Sequence, residues 1–146
     1  MINSITGKCS YYPIAGKDVC VGVSVGDIEF IVFISLSTRR QLDREVKKKN
    51  EKSKLFIHLL HKEDRMQLFG FYTDREREVF LKLIKVKGVG EKTALRILSI
   101  EADDLMKSIE RRDQGRLTEI EGVGLKIGSS IIGLLGGGVK KINNVL

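Results

Sequence analysis

The stretch "KVKGVGEKTALRIL", Lys85–Leu98, sets two glycines directly ahead of an amphipathic helical pattern. Gly88 and Gly90 flank Val89, Lys92 follows two places on, and Ala94, Leu95, Ile97 and Leu98 then recur at helical spacing. Glycine inside a helix costs about 1 kcal/mol relative to alanine. It belongs instead where the chain turns sharply, or where another molecule must come close to the backbone. The stretch therefore reads as helix, tight turn, helix. The second helix starts at once, so its first N–H groups and the positive end of its dipole form a place for an anion. Lys92, in the first turn, adds a charge on the same side, and Val89 turns inward as an apolar plug.

The same unit recurs. "VKGVGEKTALRIL" (Val86–Leu98) aligns with "IEGVGLKIGSSII" (Ile120–Ile132) at an offset of 34 residues. Gly88/Gly122, Val89/Val123, Gly90/Gly124, Lys92/Lys126 and Ile97/Ile131 are identical pairs. Two copies are too few for a solenoid; a pair packed about a pseudo-two-fold axis is the economical reading. One such turn is equally a plain connection between helices. Two copies sharing a lysine at one offset point to paired phosphate sites across a duplex groove. Binding of that kind reads no base and weakens steeply with salt.

Around this pair the chain changes character near Gly70–Thr73. Upstream, "INSITGKCSYY", "DVCVGVSVG", "DIEFIVFISL", "KLFIHLLHK" and "RMQLFGFYT" are short segments rich in Val, Ile, Phe and Tyr. Val19, Val21, Val23 and Val25 alternate with Cys20, Gly22 and Ser24, the period of a strand. Five strands in about 70 residues predict a small barrel. Between the third and fourth, "STRRQL" predicts one helical turn and "KKKNEKSK" (Lys47–Lys54) a solvated basic loop. Downstream, Thr73 and Glu76 form a capping-box pattern opening a helix over Asp74–Val86. "ADDLMKSIE", "RDQGRLTEI" and "GLKIGSSIIGLL" follow as helices too short to stand alone. Gly136–Gly138 ends the last one, and 139–146 reads as the start of a linker. The expected domains are thus 1–70 and 71–138, an α+β chain.

Composition agrees with a polyanion as partner. Lys and Arg number 26 against 19 Asp and Glu, net +7, with the excess shared by both halves. Cys9 and Cys20 lack metal-site or disulfide spacing. His58 and His61, three apart on a strand, point to opposite faces. No metal site and no cofactor are expected. The sequence lacks a run of about 18 apolar residues and an apolar signal core; the expectation is a cytoplasmic chain with no membrane contact.

With these residues in place, the chain resembles the RuvA family, the Holliday-junction-binding subunits of bacterial branch-migration complexes. "GVGEKTALRIL" and "GVGLKIGSSII" are similar to helix-hairpin-helix motifs, and the resemblance extends from Met1 to about Leu135. It implies an N-terminal OB-fold barrel followed by a tandem helix-hairpin-helix domain. It implies DNA phosphate contacts at Gly88, Val89, Gly90, Lys92, Gly122, Val123, Gly124 and Lys126. "KEDR" on its own is a solvated hairpin turn; the resemblance makes Glu63 and Asp64 an acidic pin at the junction centre. Lys62, Arg65 and Lys87 become further candidate DNA contacts. A homotetramer is implied, doubling to an octamer on DNA, with a hexameric RuvB-type ATPase motor as partner. Leu125 stands where the family commonly has a second basic residue, so the second motif is expected to bind less strongly. The family's third domain, which grips the motor beyond a flexible linker, is not in the sequence, so motor docking is not expected of this stretch.

Other classes fit less well. "GKC" at Gly7 and "GKD" at Gly16 are not nucleotide-binding phosphate loops, so ATP hydrolysis is expected from a partner and no catalytic residue is assigned. A helix-hairpin-helix glycosylase or lyase needs an aspartate roughly 20 residues past the glycine turn, at a base-flipping pocket. No aspartate follows Gly122, and Asp103, Asp104 and Asp113 lie in polar segments. A single-strand binder needs aromatics presented together on the barrel, whereas Phe30 and Phe33 face opposite sides.

Overall fold

The computed structural model describes residues 1–12, 18–45 and 51–137. The chain divides into two compact units, residues 1–77 and 78–146.

The first unit is a closed five-stranded barrel in the order β1-β2-β3-β5-β4. Its strands are β1 Ser4–Tyr12, β2 Val19–Val25, β3 Ile28–Ile34, β4 Ser53–Lys62 and β5 Arg65–Phe71. All neighbours are antiparallel except β3 and β5, which pair in parallel from Val32↔Leu68 to Ile34↔Gly70. Closure removes the open sheet edges that would otherwise invite pairing with other chains. Val21, Val23, Val32, Ile34, Leu55 and Ile57 turn inward to make the core. Of the valine alternation read in β2, Val21 and Val23 lie in this core and Val19 packs against it, whereas Val25 at the strand end is 41% exposed.

A helix, α1 Leu36–Glu45, fills the crossover between β3 and β4. The single turn expected from "STRRQL" is ten residues long here. Its Arg, Gln, Leu and Glu residues favour a helix, and tertiary contacts hold it in place. Leu42 joins the barrel core, and Ser37, Thr38 and Gln41 bind Glu76. That carboxylate is 3% exposed. Its Oε1 accepts from Ser37 Oγ (3.2 Å) and Gln41 Nε2 (2.6 Å), and its Oε2 from Thr38 Oγ1 and the Tyr72 N–H (both 3.0 Å). Burying a carboxylate is tolerable only with its lone pairs so filled.

The Thr73–Glu76 capping pattern is half realised. The Glu76 N–H donates to Thr73 Oγ1 (3.2 Å). The Glu76 side chain reaches back to Tyr72, not Thr73, because α1 holds it there. The helix so opened, α2 Asp74–Leu83, stops three residues short of Val86. Its end tightens: the Lys85 N–H donates to the Lys82 carbonyl and the Val86 N–H to that of Leu83. Such i−3 bonds close a final turn.

The second unit is helical: α3 Glu91–Ile97, α4 Ala102–Glu110, α5 Gln114–Thr118 and α6 Leu125–Ile131. In α4 the buried residues Ala102, Leu105, Met106 and Ile109 follow helical spacing, with Asp103 and Asp104 exposed in its first turn. Each such large apolar side chain contributes about 1.5–3 kcal/mol by leaving water. α6 runs on as a π-helical turn, Ile132–Gly136. The glycines expected to break it do not do so before Gly137, which is still helical. A Cβ on Gly136 would sit 3.4 Å from the Ile109 carbonyl oxygen, so its bareness lets α4 close on this turn. Gly138, the linker 139–146 and Lys47–Asn50 of the basic run lie outside the described residues. Lys54, at the end of that run, sets its Nζ 4.8 Å from the Phe56 ring centre.

Candidate nucleic-acid interface

The two glycine turns have one backbone. Gly88 and Gly122 take φ of 89° and 87°, a left-handed conformation that side-chain-bearing residues rarely adopt. Gly90 and Gly124 then stand at the N-caps of α3 and α6 with extended angles, φ −90°, ψ 179° and φ −83°, ψ 177°. Between them Val89 and Val123 turn inward and are 5% and 4% exposed. The Val89 N–H donates to the Val86 carbonyl and the Val123 N–H to that of Ile120, both 3.0 Å. These bonds lock each turn.

The second glycine of each pair is the informative one. Its extended backbone suits any residue. A Cβ on Gly90 or Gly124 would meet nothing within 4 Å. Neither φ nor internal packing requires glycine there. What the missing side chain provides is open access to the helix end. The first helical rung is the Ala94 N–H donating to the Gly90 carbonyl in α3, and the Gly128 N–H to that of Gly124 in α6, both 2.9 Å. Amides ahead of these rungs point out of the helix end. Lys92 and Lys126 are exposed at the second position of each helix, and Lys87 is exposed beside Gly88. The arrangement can hold an anion in each turn.

The hairpin between β4 and β5 raises a different question. Lys62 pairs with Arg65, leaving Glu63 and Asp64 as a two-residue turn, and all four are exposed. Two-residue hairpins favour glycine or asparagine at positive φ. The hairpin between β2 and β3 obeys this: Val25 pairs with Ile28, and Gly26 takes φ 59°. In the β4–β5 turn, neither carboxylate residue has positive φ. Aspartate is a common turn residue, and the exposed pair has the character of a solvated hairpin turn.

Features weighed for other chemistries have local structural roles. Asp113 caps α5, its Oδ1 accepting from the Arg116 N–H at 3.0 Å. Phe30 packs against the barrel core, while Phe33 stacks on Phe69 with ring centres 5.7 Å apart. His58 lies against the same Phe69 ring.

Two side chains at the second turn escaped sequence reasoning. Gln114 Nε2 donates to the Leu125 carbonyl (2.9 Å) and to Ser129 Oγ (2.7 Å), fastening the start of α6 to α5. Arg96, on α3, places Nη1 4.0 Å from where a Gly122 Cβ would stand. The missing basic residue at Leu125 marks a charge deficit at the second turn in the sequence, but not which distant side chains pack there.

Comparisons with known proteins cover both units. Residues 1–70 match the family model described as RuvA N terminal domain, and residues 80–133 that described as SAM-like Helix-hairpin-helix tandem. Three similar proteins are each named Holliday junction branch migration complex subunit RuvA. That of Treponema denticola is 37% identical across 99% of this chain and 69% of its own length. That of Borrelia turicatae is 33% identical across 98% and 69%. That of Polynucleobacter asymbioticus is 42% identical across 73% of this chain and 51% of its own length. The chain thus spans about half of this last relative.

Proposed function

The chain belongs to the RuvA family, and from that premise we propose that it binds four-way DNA junctions as a non-catalytic, structure-specific scaffold. Contact is with phosphates and is independent of base sequence. The chain acts as a homotetramer, doubling to an octamer when two tetramers enclose a junction. Branch migration is driven by a separate ATPase, a hexameric RuvB-type motor, in recombination and repair in the cytoplasm.

The observation that carries this reading is the duplicated turn with glycines at Gly90 and Gly124 that nothing inside the chain requires. Each turn holds one phosphate through outward amides and a first-turn lysine, Lys92 or Lys126. Gly88, Val89, Gly122 and Val123 shape the two turns. A pair of such turns suits phosphates on either side of a groove.

The acidic turn serves the junction rather than the arms. Glu63 and Asp64, repeated by each subunit around a four-fold centre, repel the phosphates of the crossover and keep the strands apart. Lys62 and Arg65 hold phosphates beside it. Attraction along the arms with repulsion at the centre distinguishes a junction from a continuous duplex.

Measuring the mass of the complex with a synthetic four-way junction by light scattering tests this. Four or eight copies per junction are expected; a single copy per junction contradicts the scaffold.

A further inference from the structure

The two turns share a backbone but not a charge. Around the first lie Lys85, Lys87, Glu91 and Lys92, net +2. The aligned residues around the second are Glu119, Glu121, Leu125 and Lys126, net −1. Arg116 lies 3.6 Å from Glu119 and offsets that carboxylate. Leu125 is 70% exposed and brings no donor. By its own residues, the second turn is a poor place for a phosphate.

The packing of the hairpins alters this. Each turn glycine is backed by a side chain of the other hairpin. Behind Gly88 stands Ile127 of α6, its Cγ1 3.9 Å from where a Cβ would be. Behind Gly122 stands Arg96 of α3, through Nη1 at 4.0 Å. The turn already rich in lysine receives an apolar group, and the turn short of cations receives a guanidinium. The Arg96 side chain is half-buried, with Nε sealed from solvent. A stem fixed in this way loses little further freedom on binding, and a guanidinium is suited to paired donation to phosphate oxygens.

Resting on the reading that both turns hold phosphates, we propose that Arg96 is the second cation of the second hairpin's phosphate site, supplied across the pair by the first hairpin. It stands in for the basic residue that Leu125 is not, and it balances Glu121 beside the same glycine. The two hairpins are therefore one binding unit, because the second draws part of its charge from the first.

The test is the salt dependence of binding to a four-way junction and to a duplex of matching arms. Each phosphate contact contributes about 0.9 to the slope of log affinity against log salt. Arg96→Met keeps the buried stem and removes the charge. It is expected to lower the slope by about one per bound hairpin, as Lys126→Met does, and Arg96→Lys to restore most of it. Leu125→Lys on the Arg96→Met background places a cation at the same turn and is expected to recover the lost slope. Thermal melting monitors folding; where methionine is not tolerated, Arg96→Gln serves the same comparison. A slope unchanged by Arg96→Met while Lys92→Met and Lys126→Met lower it overturns the role of Arg96 alone. Slopes unchanged in all three remove the phosphate reading itself.

Discussion

Gly88 and Gly122 hold the same left-handed backbone, φ 89° and 87°, at an offset of 34 residues. Two residues after each comes a glycine with ordinary extended angles and open space around it. The fold requires the first glycine of each pair, and the proposed phosphate site gives the second its task.

Substitution should separate the two roles. Gly88→Ala and Gly122→Ala force a Cβ into left-handed backbone and are each expected to cost about 1–2 kcal/mol of stability. Gly90→Thr and Gly124→Thr keep a residue comparable to glycine at an N-cap. They should leave the urea midpoint nearly unchanged while weakening DNA binding about tenfold, on the order of one charged hydrogen bond. Urea unfolding and fluorescence anisotropy on the four variants check this.

Glu76→Ala should be among the most disruptive single changes in the first unit. It strands the donors of Ser37, Thr38, Gln41 and Tyr72 at a buried site. The expected loss is roughly 2–4 kcal/mol, given about 1–3 kcal/mol for an unsatisfied buried donor. Amide exchange should rise first in α1, since Glu76 fastens that helix. Even exchange throughout the barrel would show that Glu76 does not anchor α1.

Neutralising the acidic turn should change junction shape more than affinity. With Glu63→Gln and Asp64→Asn together, duplex binding is expected to stay within about twofold, because exposed charges contribute little apiece. Energy transfer between dyes on adjacent junction arms should shift, as the repelled crossover relaxes toward the protein. An unchanged transfer efficiency would remove the role given to these carboxylates.

The thiol of Cys9 and the phenol of Tyr11 both hold their protons more tightly than usual, chiefly because burial disfavours the charged form; Glu45 adds to the effect at Cys9 and Asp43 at Tyr11. A hydrogen bond with Ser53 opposes the rise at Cys9. Raised folded-state values mean that stability is intact below the ordinary thiol range and is lost as pH climbs through the raised values. Ellman's reagent at pH 8 should label Cys9 far more slowly in the native chain than in urea. Urea midpoints should fall between pH 8 and pH 10. Equal labelling rates in the two states would contradict the burial argument.

Much of this architecture is readable in the chain. The valine alternation in β2 marks the barrel wall, and the repeated G-V-G with its lysine marks the paired turns, because both signals are local. What the sequence conceals depends on distant partners. α1 is fastened by Leu42 in the core and by Glu76, which lies far from "STRRQL" along the chain. The Glu76 side chain misses the Thr73 N–H for the same reason. Arg96 reads as one more surface cation until packing brings it to Gly122. The paired acids of Glu63 and Asp64 are visible, but their local sequence is that of any solvated turn; only the family resemblance gives them a task.

The proposed scaffold prefers a junction to any other DNA form. The most direct test of that preference is a competition titration in which the protein, held on a labelled four-way junction, is challenged with unlabelled junction, duplex and single strand of equal nucleotide content at several salt concentrations. The junction is expected to compete at least about a hundredfold better than duplex, a gap of about 2.7 kcal/mol or more, with single strand worst. Equal competition by duplex and junction at every salt concentration would contradict the preference.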